Sequence, residues 1–231
     1  MISENIETLR GRIARACDRA GRDPAGVTLV AVSKTFPVDA VRDAVGAGVR
    51  DVGENYVQEL LAKREALNDD VVRWHFIGHL QANKVRHVVG WITMIHSLDA
   101  PALAHEVDKR AKLAGRVIDC LVEVNTTGEG SKFGVAPEAT QDFVQQLSEL
   151  DSIRIAGLMT IGPFLPDPEG SRPMFRRLQE LRDQIAALHQ TNATMTHLSM
   201  GMTGDFEVGI EEGATMIRIG TAIFGRRPRK T

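Results

Sequence analysis

The chain has 231 residues, of which 43% are hydrophobic and 25% are charged, a composition typical of a globular protein with one sizeable core. Its formal net charge of −2 excludes a general electrostatic attraction to nucleic acid. No apolar stretch approaches the length of a membrane span, and the two cysteines, Cys17 and Cys120, lie far apart without a CxxC spacing. We therefore expect a cytoplasmic protein without disulfides, metal ligands, or a nucleic-acid or membrane partner.

Short apolar runs alternate with amphipathic stretches along the whole chain. Runs rich in aliphatic and β-branched residues are typical of strands buried on both faces of a parallel sheet. After a first helix over about residues 2–20, the strands are predicted at Val27–Lys34, Val49–Gly53, Trp74–Gly78, Ile92–Leu98, Val117–Val124, Ile153–Thr160, Thr194–Ser199 and Thr215–Ile219. Further helices are predicted at about 37–47, 56–67, 81–89, 102–114, 137–150 and 204–212, with a long helix ending near 189.

Eight strands that alternate with helices are the number expected for a (β/α)₈ barrel. An open doubly wound sheet would show the same local alternation, but it usually has fewer strands, and no Gly-x-Gly-x-x-Gly motif follows the first strand here. Neither a linker nor a shift in composition divides the chain. The sequence therefore predicts an α/β fold, a single TIM-type (β/α)₈ barrel domain over residues 1–231 with an extra N-terminal helix.

Lys34 stands at the end of the first predicted strand. Ligands of parallel α/β folds bind at the carboxyl ends of the strands. Burial of a lysine favours its neutral amine, which is a good nucleophile toward aldehydes. Taken alone, the residue is more consistent with a strand-end lysine that reaches into solvent, because lysines are mostly exposed.

Two late segments, His197–Asp205 and Ile217–Gly225, run from a predicted strand directly into glycines and hydroxyl residues. Glycine lets the backbone approach a ligand, and Ser or Thr adds hydrogen-bond donors. A helix that starts at Thr203 would add free N–H groups, so these segments indicate a phosphate site. Ordinary turns between a strand and a helix would have a similar composition.

Barrel closure would place the first strand beside the eighth, and the lysine amine would then share one end of the barrel with the phosphate site. Phosphate sites of such barrels commonly use the loops after strands seven and eight. A phosphorylated aldehyde with one small ring fits this arrangement, and pyridoxal 5′-phosphate (PLP) is the obvious candidate. Arg218 would point at its ring.

At these residues the sequence resembles the pyridoxal phosphate homeostasis proteins, which are single-domain relatives of the alanine racemase N-terminal domain, the fold type III of PLP proteins. The resemblance covers about residues 5–226. The matching stretches are Ala31–Lys34, Val52–Asn55, Trp74–Lys84, Gly128–Gly134, Gly157–Thr160, Leu198–Met202 and Arg218–Gly225.

The resemblance implies a role for each matching residue. Lys34 would hold PLP as a covalent Schiff base, Arg218 would face the pyridine nitrogen, and Asn55 would lie beside the ring. The residues implied for the phosphate are Ser199, Gly220 and Thr221, with backbone contacts from Met200 and Gly201. Thr203 stands where the family usually has Ser, which keeps the hydroxyl. His75 and His79 are interpreted as core or supporting histidines.

An arginine beside the pyridine nitrogen disfavours protonation of the ring, which makes PLP a poorer electron sink. Racemases of this fold take one base from a second β-domain, which this sequence does not contain, and Tyr56 is interpreted as a residue of a helix's first turn. We therefore expect no catalytic residues and a monomeric PLP carrier that buffers the cofactor or hands it to apoenzymes. The alternatives are a single-domain amino-acid racemase and an aldolase in which Lys34 attacks a sugar phosphate.

Overall fold

Eight parallel strands close into a barrel in which each strand pairs with the next and the last pairs with the first. The computed structural model describes residues 1–127, 133–163 and 165–226. The strands are β1 Thr28–Val32, β2 Asp51–Glu54, β3 Arg73–Phe76, β4 Met94–Leu98, β5 Ile118–Glu123, β6 Ile153–Met159, β7 Ala193–Ser199 and β8 Met216–Ile219. The predicted TIM-type barrel is confirmed, and β1 and β8 lie side by side with Val30 opposite Arg218.

Helices cover the outside of the barrel. They are α1 Ile2–Arg19, α2 Val38–Gly46, α3 Val57–Leu67, α4 Pro101–Leu113, α5 Pro137–Gln146, α6 Arg172–Ala186, α7 Phe206–Glu211 and α8 Thr221–Phe224, with 3-10 helices at Pro24–Gly26, Ala82–His87 and Pro168–Ser171. None of the helices in these ranges is long and apolar enough to cross a lipid bilayer.

Two helix predictions were wrong in ways that matter near the strand ends. The segment predicted as a helix over 81–89 contains only the 3-10 helix Ala82–His87. The helix predicted from 203 or 204 begins at Phe206, because Asp205 folds back and its Oδ1 accepts a hydrogen bond from Met202 N at 2.7 Å. The short α8 was not predicted at all. Thr203 therefore lies in a turn.

The two faces of the barrel sheet have different surroundings. Along β5, Cys120 and Val122 belong to the main apolar core between sheet and helices, whereas Leu121 belongs to a separate small cluster of buried residues. Because successive strand residues point to opposite faces, this second cluster fills part of the barrel interior. Its members are Met94, Leu121, Ala156, Met159 and Met216.

Helix α1 joins the two ends of the described chain. Arg12 pairs with Glu207 of α7 through two hydrogen bonds of 3.1 and 2.9 Å. Asn5 Nδ2 donates to Ile223 O of α8 at 2.9 Å. The apolar side of α1, including Ile6, is buried in the main core. The N-terminal helix therefore packs where the first and last parts of the barrel meet.

Candidate functional site

A cavity of about 230 Å³ opens at the carboxyl ends of β1 and β8. Five of the residues that the sequence predicted for a cofactor line it, namely Lys34, Asn55, Arg218, Gly220 and Thr221. The early lysine and the late phosphate segment are thus brought to one wall, as strand closure requires. A cavity of this size suits a ligand with a single small ring.

Lys34 lies in a turn two residues beyond the end of β1 and is half-buried. The next residue, Thr35, has a φ of 69°, in the left-handed region that β-branched residues rarely adopt. Its backbone N–H donates to Glu59 Oε2 at 2.8 Å, and Phe36 N donates to Ser33 O at 3.0 Å. These hydrogen bonds hold the turn that carries Lys34 in one conformation.

A buried ionic cluster supports this turn from below. Ser33 Oγ donates to Glu54 Oε1 at 2.6 Å, and Lys63 Nζ donates to both Ser33 O and Glu54 Oε1. Burial raises the pKa of the fully buried Glu54 carboxyl, and the hydrogen bonds from Lys63 and Ser33 offset this only in part. This cluster was not predicted from the sequence. The spacing of Glu59 and Lys63, one helical turn apart, was the signal available for it.

Arg218 forms the floor of the cavity. One guanidinium nitrogen, Nη1, donates to Ser199 O at 2.7 Å and to Ser199 Oγ at 2.6 Å, and Nη2 donates to Thr160 O at 2.7 Å. Burial lowers the pKa of Arg218 to about 10, and the carboxyls of Glu123 and Asp205 oppose that shift. The guanidinium is therefore a fixed cation at neutral pH.

Three of the predicted phosphate contacts lie behind the cavity wall. Ser199 is fully buried, and its hydroxyl is engaged by Arg218. Met200 packs in the main apolar core, and Gly201 O accepts a hydrogen bond from Arg218 N at 3.0 Å. The cavity lining does not include these three residues; Thr203 and Gly204 line it instead.

Asn55 offers an unmet hydrogen-bonding group at the cavity. Within the described ranges, its Oδ1 is buried without a hydrogen-bond partner, an arrangement that is costly unless a ligand or water supplies one. Lys84 lines a neighbouring cavity that also includes Asn55. Lys132, another lysine of the matching stretches, lies outside the described residues.

The predicted histidines differ from each other. His75 is buried inside the barrel, as expected, and its two ring nitrogens lie 2.9 Å from His96 Nε2 and 2.9 Å from Asp51 Oδ1. His79 is 41% exposed and stacks on Phe133 with ring centroids 4.1 Å apart, so it is not a core residue, and its interpretation as a supporting histidine stays a prediction.

Two further residues near the strand ends, one acidic and one aromatic, differ from the prediction. Glu123, at the end of β5, was not predicted; burial and the nearby Asp99 raise its pKa to about 7 against the opposing charge of Arg218. Tyr56 immediately precedes α3 rather than lying within its first turn.

Comparison with known proteins found a matching family model and similar curated proteins. The family model described as alanine racemase, N-terminal domain, matches residues 5–228. The pyridoxal phosphate homeostasis protein of Aquifex aeolicus (strain VF5) is 48% identical, over 97% of this chain and 97% of its own length.

Solved structures with similar folds include a protein with PLP bound and an alanine racemase. PipY of Synechococcus elongatus, solved with PLP bound, is 34% identical with a TM-score of 0.85, and the match covers 97% of this chain and 100% of that one. An alanine racemase of Clostridium difficile 630 has a TM-score of 0.74, and the match covers 98% of this chain and 58% of that one. Its identity is 14%, so that likeness concerns the fold alone.

Proposed function

Because the chain belongs to the pyridoxal phosphate homeostasis protein family, within the wider alanine racemase N-terminal domain family, we propose that it binds PLP and serves in the homeostasis of that cofactor. Lys34 holds PLP covalently but reversibly as a Schiff base. The amine nitrogen and the aldehyde carbon form a C=N bond, and the aldehyde oxygen leaves as water. Water reverses the step, so the cofactor can be stored and released.

The observation that carries this proposal is the shared cavity of Lys34, Arg218 and Thr221. PLP needs an amine, a partner for its ring nitrogen and a phosphate site within the length of one small molecule. The unpartnered Oδ1 of Asn55 adds a polar group at the same wall. The residues present therefore fit the cofactor.

We place the phosphate between two pairs of small or hydroxyl residues. Thr203 and Gly204 lie on one side, and Gly220 and Thr221 on the other. Thr203 Oγ1 accepts a hydrogen bond from Ala222 N at 3.3 Å, which ties the two segments together. In this assignment Ser199, Met200 and Gly201 act from behind the wall, and Thr203 takes the direct contact first assigned to Ser199.

Arg218 favours storage over turnover. Its fixed positive charge beside the ring nitrogen disfavours a second positive charge there. PLP supplies an electron sink when its ring is protonated, and Arg218 weakens that property. The match to a homeostasis protein over 97% of this chain and 97% of that protein's length supports a carrier.

We propose one barrel domain over residues 1–231, a monomer, and a cytoplasmic location in which PLP passes to PLP-dependent apoenzymes. A closed barrel supports the monomer because it leaves no strand edge for pairing with a second chain.

Reductive trapping tests the covalent step. The protein is loaded with PLP, treated with borohydride, and the modified lysine is mapped by mass spectrometry. We expect one label, on Lys34, with no label in Lys34→Ala and full labelling in the control Lys84→Ala. A label that persists in Lys34→Ala would move the anchor to another lysine.

Activity assays test the functional class. The carrier proposal predicts no racemisation of common amino acids at ordinary enzyme rates, on the order of 1 s⁻¹ or more. Such turnover would establish the racemase alternative. A protein that cleaves a sugar phosphate through Lys34 and takes up no PLP would instead be the aldolase.

A further inference from the structure

Polar side chains form a continuous hydrogen-bonded line through the barrel interior, from the cavity floor toward the opposite end. Arg218 Nη1 lies 2.6 Å from Ser199 Oγ, which lies 3.0 Å from His96 Nδ1. His96 Nε2 lies 2.9 Å from His75 Nδ1, and His75 Nε2 lies 2.9 Å from Asp51 Oδ1. Three side chains thus link a cation to an anion.

The positions of the hydrogens follow from the two ends of this interior line. Arg218 can only donate, so Ser199 Oγ accepts from it and donates its own proton to His96 Nδ1. His96 then carries its proton on Nε2 and donates to His75 Nδ1. His75 in turn donates through Nε2 to Asp51, which accepts. The reverse direction would leave the buried Ser199 hydroxyl proton without an acceptor in the described ranges, which is costly.

Burial and charge agree with this direction. Burial, and then the nearby fixed cation of Arg218, keep the pKa of His96 well below its usual value, so the ring is neutral. Burial raises the pKa of Asp51, but hydrogen bonds from His75 and Arg73 outweigh it and hold the pKa below its usual value.

The far end of the interior line reaches solvent. Arg73 Nε donates to Asp51 Oδ1 at 2.8 Å, and the Arg73 side chain is 58% exposed. The line therefore begins at a partly solvated ion pair at the amino ends of the strands and finishes at the cavity.

We propose that Ser199, His96 and His75 are positioning residues for Arg218, and that through them the Asp51–Arg73 ion pair sets the orientation of the guanidinium at the cavity floor. The proposal rests on the proposed function, in which Arg218 faces the ring nitrogen of PLP. Substitution at Asp51, far from the cofactor, then changes the electronic state of the bound ring.

The tautomers can be tested without any cofactor, by ¹⁵N NMR of histidine-labelled apoprotein. We expect neutral rings with the proton on Nε2 for both His75 and His96. Ser199→Ala shifts the His96 signals and leaves those of His197 unchanged. A proton on Nδ1 of His96, or no response of His96 to Ser199→Ala, overturns the inference.

The effect on Arg218 is tested with PLP by equilibrium binding and by the pH dependence of the cofactor's absorption band. Ser199→Ala removes one hydrogen bond to a charged group, so we expect roughly tenfold weaker binding and a shifted midpoint of the pH titration. Ser199→Thr keeps the hydroxyl and restores both. His197→Gln, outside the interior line, leaves both unchanged.

A second variant guards against misfolding of the first. Asp51→Asn preserves side-chain size and removes the charge at the far end, and it shifts the same absorption midpoint. Wild-type dissociation constants and spectra in both Ser199→Ala and Asp51→Asn would reject the positioning role. Failure of the wild type to bind PLP would reject the proposed function, while the NMR measurement would still decide the direction of the line.

Discussion

The outer and inner faces of the barrel sheet are built from different chemistry. The outer face packs aliphatic side chains such as Val52, Ile95 and Val122 against the helices in one large core. The inner face carries the Asp51 to Arg218 line of polar groups beside a small cluster that includes three methionines. The outer face therefore supplies most of the stability, and the inner face sets the chemistry of the cavity.

The outer core offers the largest expected effect. Phe175 of α6 is fully buried in it, so Phe175→Ala is expected to lower the free energy of unfolding by about 3–5 kcal/mol. Urea denaturation measures this loss, and Leu188→Ala, at an exposed position, should stay within about 0.5 kcal/mol. PLP affinity per folded molecule should not change. A Phe175→Ala variant of full stability would contradict the division between the faces.

The cluster below Lys34 is a polar exception on the outer side. Lys63→Met leaves the buried Glu54 carboxyl without its cation. We therefore expect the free energy of unfolding to fall by about 3 kcal/mol at pH 8. The loss should shrink in acid, because a protonated Glu54 needs no cation. Denaturation at several pH values measures it, with Lys109→Met, at an exposed site on α4, as control. A loss that is independent of pH would mean that the cluster contributes only through packing.

A substitution of Glu123 is expected to stabilise the protein, in contrast to the two substitutions above. Its pKa of about 7 in the folded protein lies above the ordinary 4.5, so the folded state binds this proton more tightly than the unfolded state does. Its contribution to stability is complete below about pH 4.5 and is lost as the pH rises through about 7.

The Glu123→Gln variant cannot ionise at this position, so it does not lose stability as the pH rises. Its free energy of unfolding should exceed that of the wild type by about 3 kcal/mol at pH 8. This difference should disappear toward pH 4. Glu149→Gln, at an exposed position, should show no such trend. Parallel denaturation curves at pH 4, 6 and 8 decide the matter, and a difference that stays constant with pH would exclude Glu123 as its source.

The smallest effect is expected at the helix layer, outside both faces. Arg12 pairs with Glu207 and lies 4.6 Å from the centre of the Phe206 ring, but both charged side chains are about one-third exposed. Arg12→Ala should therefore cost at most about 1 kcal/mol by thermal denaturation. Arg15→Ala, on the exposed side of α1, is the matched control. Equal stability of the two variants would assign no net contribution to the pair.

The sequence predicted the barrel because eight apolar runs have the length and spacing of buried strands. It also predicted that Lys34 and Arg218 would meet, because closure joins the first strand to the last. It could not separate Ser199 from Thr203, since both follow β7 and only the turn at Asp205 decides which of them reaches the cavity.

The interior line of hydrogen bonds could not be predicted from the sequence, for a related reason. His96 lies within a run that reads as wholly buried, and its significance depends on which neighbours share the inward face. Register between strands, which places His75 opposite Gly53 and Met94, is a property of long-range pairing rather than of local composition. A polar residue at alternate positions of several buried strands was the signal that could have identified it.

The attachment of α1 has a consequence for how the chain is made. Its partners Glu207 and Ile223 lie about two hundred residues downstream, so the helix synthesised first must wait for almost the last segment to emerge. Contacts of such high sequence separation slow folding. Helix α1 can pack on α2 early in translation, but its contacts with α7 and α8 form only at the end. The part of its apolar side that faces α7 and α8 therefore stays uncovered on the nascent chain, and this protein is expected to depend on ribosome-associated chaperones for longer than a chain whose first helix packs only locally.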